Sequence, residues 1–358
     1  MTAMRRLRLE GDAKRRGEDH AAAYRAEIRR YTEERVRLAS NGSWAGRPAT
    51  REDVLALAES TIPAHRAYDA DLTDEMEAAG RASGVSLAEM IIVGGFTDFV
   101  DLVRGRAGAS AEEDDCTAAL VPDSAADGGG FLAQTWDMHD SATEHVVLFE
   151  LHGDGAPNAL VFSTVGCLGQ IGMNDAGIAV GINNLTAARG EVGVTWPHVV
   201  RKALKQTTLD AALRCVTEAD LCGAHNYLLL DAEGRGVNVE AMPGGCHVEE
   251  LGSSPLLHTN HCLHPDTKRL EAHKAEPLMR SSVRRLARAR ELLAAARPIT
   301  AEGLFAFTRD AGICQRAEPP FEIESSGAAI MRPATREFWA VWGVPADNEY
   351  ERLVVGAR

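Results

Sequence analysis

Cys116 stands directly behind four acids, Glu112, Glu113, Asp114 and Asp115, in the stretch EEDDCTA. Negative charge beside a thiol raises its pKa and suppresses the nucleophilic thiolate. A nucleophilic Cys116 therefore requires those acids to leave its neighbourhood, and breaking the bond between Asp115 and Cys116 does that. The new N-terminal residue carries both a thiol and an α-amine. With a pKa of about 7.7–8.0, that amine can act as base for its own nucleophile, with no separate histidine. A cysteine at a strand edge can also make the cut itself: the thiol attacks the preceding carbonyl, and the resulting thioester hydrolyses.

Such a site needs further parts. Asp137, in QTWDMHD, lies one hairpin beyond Cys116, and its carboxylate can hold the α-amine by a charge-assisted hydrogen bond. Asn183 and Asn184 end an expected strand in GIAVGINNL, and Asn260 lies in LLHTNHC. An amide N–H aimed at a developing oxyanion stabilises the tetrahedral intermediate by a few kcal/mol. Ser282 and Arg285 open a late helix, SSVRRLARAREL, where a guanidinium could support the site; Arg284 competes with Arg285 for that part. The run HTNHCLH (His258, His261, Cys262, His264) resembles a metal cluster. Residues 258 and 261 of a strand point to opposite faces, however, and no second Cys/His cluster at zinc-site spacing follows. No metal and no cofactor are expected. The GGG at 128–130 and GDGAPN are turns rather than phosphate loops, since neither opens a helix after a strand.

Two compositional regimes position these residues, and they meet near residue 112. Before it the chain reads helical: AAAYRAEIRRYTEERVRLAS is rich in helix formers, and Thr50/Asp53 and Ser86/Glu89 have capping-box spacing. No strand is expected before Gly108. After Cys116 come short apolar or alternating runs between turn signals: TAALVP, FLAQTWDM, HVVLFELHG, ALVFSTVG, IAVGINNL, YLLLDAEG, GVNVEAM and LLHTNH. Helical stretches interrupt them at HVVRKALKQTTLDAALRCVTEA, at SSVRRLARARELLAAA and from Thr300 to about Asp310. The reading is a helical leader, residues 1–115, and a β-rich remainder, residues 116–358, with two sheets inside and helices outside. Cys116 falls at the start of the first strand of the remainder.

Bulk composition agrees. The chain has 358 residues, 45% hydrophobic and 25% charged, enough for a sizeable core. A net charge of −14 argues against nucleic acid and anionic membranes as partners. The N-terminus lacks the apolar run of a signal peptide and no segment reaches membrane-spanning length, so the expected address is cytoplasmic. Seven cysteines with no CxxC pair read as buried small hydrophobes in a reducing compartment.

Taken in order, CTAALV, GGFLAQTWDMH, GQIGMNDAGIAVGINNL, HNYLLLDAEG, HTNH and SSVRRLARARELL, behind a leader with LEGDAKRRG near its start, resemble the acyl-coenzyme A:6-aminopenicillanic acid acyltransferase family of Ntn hydrolases. The resemblance implies an α+β fold, a four-layer αββα sandwich with a helical N-terminal segment. It also implies cleavage between Asp115 and Cys116 into two chains that stay together as one globular unit. Carried over by position, Cys116 is nucleophile and α-amine base, Asp137 orients the amine and Asn260 donates to the oxyanion. Asn183 or Asn184 completes that region, and Ser282 and Arg285 match an SxxR pattern. The implied partners are a small-molecule acyl donor and acceptor and the chain's own leader, with room for a homo-oligomer. Acyl-coenzyme A is admissible as a substrate, although no clear basic patch in the β-rich part argues for it. One departure stands out: the family has Gly before the nucleophile and this chain has Asp115. The alternatives are an unprocessed cysteine–histidine hydrolase with His261 as base, and an inactive binding homologue.

Overall fold

A strand precedes the first helix, where none was expected. The structure is a computed structural model and describes residues 3–42, 46, 48–105, 116–153, 155–319 and 322–357. Its first third contains β1 (Arg6–Glu10), α1 (Ala13–Asn41), α2 (Arg51–Glu59), α3 (Ile62–Tyr68), α4 (Ala70–Ser83), α5 (Leu87–Gly94) and α6 (Phe96–Gly105). β1 escapes a sequence reading because RLRLE buries only Leu9; its order comes from parallel pairing with a later strand. The helices start where side chains satisfy their first N–H groups: Asp12 accepts from Arg15, Thr50 from Asp53, and Ser86 with Glu89 forms a complete capping box.

The remainder runs β2 (Ala118–Val121), β3 (Phe131–His139), β4 (Val146–His152), β5 (Ala159–Thr164), β6 (Ile171–Asn174), β7 (Ala179–Asn184), α7 (Trp196–Ala203), α8 (Leu209–Thr217), β8 (His225–Leu230), β9 (Gly236–Met242), β10 (Gly245–Glu250) and β11 (Leu256–His258). It ends with α9 (Pro265–Lys268), α10 (Glu276–Ala295), α11 (Ala301–Arg309), β12 (Ile323–Arg332), β13 (Glu337–Trp342) and β14 (Glu351–Val354). Two expectations change. The helical stretch 198–219 is two helices, because α7 ends at Ala203 and Thr208, in an extended conformation, caps α8, accepting from the Ala211 N–H at 3.3 Å. The expected strand LLHTNH stops at His258, so Asn260 and His261 lie in a loop.

One sheet of eight strands has the order β1-β4-β5-β6-β7-β8-β9-β10, and a second of six has β11-β2-β3-β12-β13-β14. Neighbours are antiparallel except β1 and β4. The sheets stack face to face. The Trp136 and Phe162 rings meet across the interface at 6.1 Å, and the Gln134 amide crosses it to grip Ile182, donating to its carbonyl at 2.8 Å and accepting from its N–H at 2.7 Å. That approach requires Gly181, where a Cβ would lie 2.5 Å from Gln134 Oε1. α10 and α11 cover the outer face of the six-stranded sheet, where Phe131, Ala133 and Ile330 pack on Leu293, Leu304 and Phe307. α7 and α8 lie on the other sheet. The result is the expected α+β architecture of four layers, αββα.

The leader is stitched into this sandwich by buried charges. Glu75 of α4 is held by Arg16 at 2.8 Å and by Arg201 of α7 at 3.0 and 3.1 Å. Asp98 of α6 accepts the Trp196 N–H at 2.7 Å, and Asp101 accepts from Ala187 and Ala224 at 2.9 and 3.2 Å. A buried carboxylate left without such donors would cost several kcal/mol. Among the described residues no helix is long and apolar enough to cross a membrane.

Candidate active site

Strand pairing sets the position of Cys116. β2 runs antiparallel to β3 with Ala118 opposite Gln134, and the ladder continues one residue further: the Thr135 N–H donates to Thr117 O at 3.0 Å, and the Thr117 N–H to Thr135 Oγ1 at 3.2 Å. Cys116 is thereby placed beside Asp137. Cys116 is 1% exposed, and its thiol accepts from the Asp137 N–H at 3.4 Å. The Asp137 side chain is also buried, and its carboxylate accepts from Ser325 Oγ at 2.6 Å across the pairing of β3 with β12.

Arg285 joins Cys116 to Asn260. Alternation along α10 buries Arg285 and leaves Arg284 in solvent, so the structure separates these two candidates. The Arg285 guanidinium donates to Cys116 O at 2.7 Å, Thr117 Oγ1 at 2.9 Å and Asn260 Oδ1 at 3.0 Å. Asn260 is held on every side: its N–H donates to Ser282 Oγ at 2.9 Å, its Nδ2 to Asn184 O at 3.0 Å, and its main-chain carbonyl accepts from the buried Lys274 ammonium. A cation at the amide oxygen draws electron density from the amide, and this makes the Asn260 N–H groups stronger donors.

Ser282, one helical turn before Arg285, clamps the loop. Besides Asn260, its hydroxyl meets His261 Nδ1 at 2.7 Å and Thr259 Oγ1 at 3.0 Å. Burial, with the nearby positive charges of His258 and Lys274, lowers the His261 pKa to about 4. The other members of HTNHCLH disperse. His258 pairs with Glu240 at 2.9 Å, Cys262 is buried with its thiol pKa pushed up by desolvation, and His264 caps α9 while stacking on His247. Burial alone would raise the Glu240 pKa, but the His258 bond and charge, with Thr267 and Leu263, bring it down to about 2. The ligand-type groups that do converge among the described residues are His139, Asp140 and Glu322, which are partly or fully exposed.

The two asparagines of β7 part company. Asn183 faces the buried amides of β8 and β9, accepting from Asn226 Nδ2 at 3.3 Å, while Asn226 also donates to Asn238 at 2.7 Å. Asn184 lies on the Asn260 side and, with Cys116, lines a small internal cavity. Asp115, and with it the expected cleavage bond, lies outside the described residues. Sequence reasoning missed Ser325, Thr117 and Lys274. None of the three left a usable signal; the run IESSGAAIM that forms β12 around Ser325 does not alternate.

The family model of the acyl-coenzyme A:6-aminopenicillanic acid acyl-transferases matches residues 124–312. The chain belongs to that family. The matched segment takes in Asp137, Asn183, Asn184, Asn260, Ser282 and Arg285 and begins shortly after Cys116. The 40 kDa form of acyl-coenzyme A:6-aminopenicillanic-acid-acyltransferase from Emericella nidulans is 24% identical over 192 residues, 52% of this chain and 51% of that relative. The chain thus spans about half the length of that relative. Among solved structures, it is similar to a variant of conjugated bile acid hydrolase from Clostridium perfringens, with 10% identity, TM-score 0.48, and coverage of 68% of this chain and 99% of the other. A Caenorhabditis elegans ortholog of N-acylethanolamine-hydrolyzing acid amidase gives 14% identity, TM-score 0.43, and coverage of 61% and 93%. Penicillin V acylase from Agrobacterium tumefaciens gives 12%, 0.39, and 63% and 82%.

Proposed function

We propose that this family member is a self-processing amidohydrolase or acyltransferase that works through an acyl-enzyme on Cys116, cutting or transferring the acyl group of a small amide, ester or thioester. One observation carries the reading: a single buried guanidinium binds the Cys116 carbonyl and the Asn260 amide oxygen together. Nucleophile and oxyanion donor are thereby fixed relative to one another, and effective catalysis depends on such prior positioning.

In the proposed sequence the Cys116 thiol first attacks the carbonyl of Asp115. The peptide nitrogen leaves as the Cys116 α-amine, and water hydrolyses the thioester. The acidic run 112–115 then ends a separate chain, and the amine replaces it beside the thiol. In turnover, Sγ bonds to the substrate carbonyl carbon while its proton passes to the α-amine. The oxyanion accepts from Asn260 Nδ2–H, whose other hydrogen is engaged by Asn184 O. Collapse expels the leaving amine, alcohol or thiol, which takes the proton from the α-ammonium. Water or an acceptor amine then resolves the thioester by the same steps in reverse. Asp137, its rotamer fixed by Ser325, orients the amine. His261 is no base in this scheme, because its Nδ1 is engaged by Ser282.

Intact mass of the purified protein tests the first step, and a short exposure to an acyl donor tests the second. The expected result is two fragments, the second beginning at Cys116 and gaining one acyl mass, with Cys116→Ala remaining a single unacylated chain. A wild-type protein that stays one stable chain would refute self-processing. Activity retained in Cys116→Ala would remove the nucleophile assignment.

A further inference from the structure

The eight-stranded sheet ends on β10, and among the described residues no strand lies beyond it. The ladder to β9 fixes which main-chain groups of β10 are used. Glu250 stands opposite Val237, and one step further the Leu251 N–H donates to Gly236 O at 2.8 Å. Hydrogen-bonded pairs alternate along an antiparallel ladder, so Gly245, His247 and Glu249 turn their N–H and C=O groups towards β9. Those of Cys246, Val248 and Glu250 point away from the sheet and meet no partner among the described residues. All three residues are exposed.

A row of free donors and acceptors is a template for another strand unless proline, a bulge or a covering element blunts the edge. β10 contains no Pro, and its register to β9 is unbroken. Apolar surface gathers here as well. Five large apolar side chains are exposed among the described residues, and three of them flank this edge. Val248 belongs to the strand, Val192 shares a surface groove with Cys246, and Leu263 adjoins His264, whose ring stacks on His247. Exposed apolar groups that cluster, unlike scattered ones, mark an interaction surface.

We propose that β10 pairs antiparallel with β10 of a second copy of this chain, about a twofold axis at Val248, joining the two eight-stranded sheets into one. The run GCHVEE is what selects a copy as the partner. With Val248 opposite itself, Cys246 faces Glu250 of the copy in both halves, and every free main-chain group of residues 246, 248 and 250 finds a partner. His247 then lies opposite Glu249 of the copy, again in both halves. That is an imidazole donor against a carboxylate, at the non-hydrogen-bonded positions where side chains approach most closely. Moving the axis to Glu249 would instead set like charges opposite one another. The His247 ring is already held against His264, with centroids 3.4 Å apart, so pairing takes little freedom from it. The pairing does not involve Cys116 and stands apart from the acyl-enzyme reading.

A six-residue edge is a small interface, and a dissociation constant of about 10–100 μM is expected. Sedimentation equilibrium of the wild type across that range should show monomer passing into dimer. Val248→Pro removes the N–H at the axis but none of the bonds to β9, a place where an edge strand tolerates proline, and should leave a monomer. Glu249→Lys, an exposed change that serves where the proline variant does not fold, should weaken the dimer about tenfold. Adding His247→Glu to Glu249→Lys sets opposite charges facing again and should restore the affinity to within about threefold of wild type. A wild type that stays monomeric throughout, whether or not the edge takes up another polypeptide, overturns the proposal. So does a dimer that neither single variant weakens, or a double variant that does not recover.

Discussion

Acid should loosen the junction between leader and sandwich, and two histidines whose bonds cross it each contribute a share of the effect. His20 of α1 uses Nε2 to accept the Gly166 N–H at 3.2 Å, and His65 of α3 uses Nε2 to accept the Thr195 N–H at 3.1 Å. Both bonds run from the leader to the main body, and both need an unprotonated nitrogen. Burial lowers each pKa from 6.5 to about 4. For a group lowered on folding, the unfolded chain binds the proton more readily. The stabilisation is therefore complete above pH 6.5, is lost as pH falls towards 4, and changes no further below that. At pH 5 each histidine costs about 2 kcal/mol relative to pH 8, and the pair about 4 kcal/mol, a large part of a typical folding free energy of about 5–15 kcal/mol. Urea unfolding of Cys116→Ala, which keeps both segments in one chain, should show this loss between pH 7.5 and 5. His65→Gln should remove about 2 kcal/mol of the loss, while His198 and His261, which burial also lowers, keep their own shares. A stability that is flat over that range would refute the reasoning, since the two lowered pKa values leave no other outcome for these groups.

The remaining predictions concern the site and its supports. Arg285→Lys leaves at least one of three buried acceptors unserved, so stability in urea should fall by about 2–4 kcal/mol and the acylation rate by about a hundredfold; rates within twofold of wild type would contradict the guanidinium bridge. Asn260→Ala should lower kcat by about 10²–10³ with the fold retained by circular dichroism, and a loss confined to KM would argue against an oxyanion role. Ser325→Ala removes the Ser325 bond to the Asp137 carboxylate and should cost about tenfold in acylation, read from the rate of acyl-mass gain. Gly181→Ala puts a Cβ 2.5 Å from Gln134 Oε1 and 2.7 Å from a Leu132 methyl, and should destabilise by about 1–3 kcal/mol in urea.

Eight strands were legible in the sequence as short apolar or alternating runs; β6 and β13 went unread although buried, and so did the edges β1, β10 and β14. β1 buries one residue of five and β10 none of its six, so neither offers an alternation to read. β12 hid for another reason: the register shifts between Ser325 and Gly327, and the bulge resets the alternation just where Ser325 meets Asp137. In the site the legible parts were side chains, namely Cys116, Asp137, Asn260, Ser282 and the Arg284/Arg285 pair. Neighbouring strand residues face opposite sides, so Asn183 and Asn184 could not both serve, yet composition says nothing of which side meets Asn260. The structure gives a further reason for that silence. What Asn184 supplies to Asn260 is its carbonyl oxygen, what Cys116 offers Arg285 is its carbonyl, and what Asp137 offers the thiol is its N–H. Main-chain groups are the same at every position but proline. A site assembled this far from backbone is fixed by register and loop path, and those are set by sheet pairing many residues away.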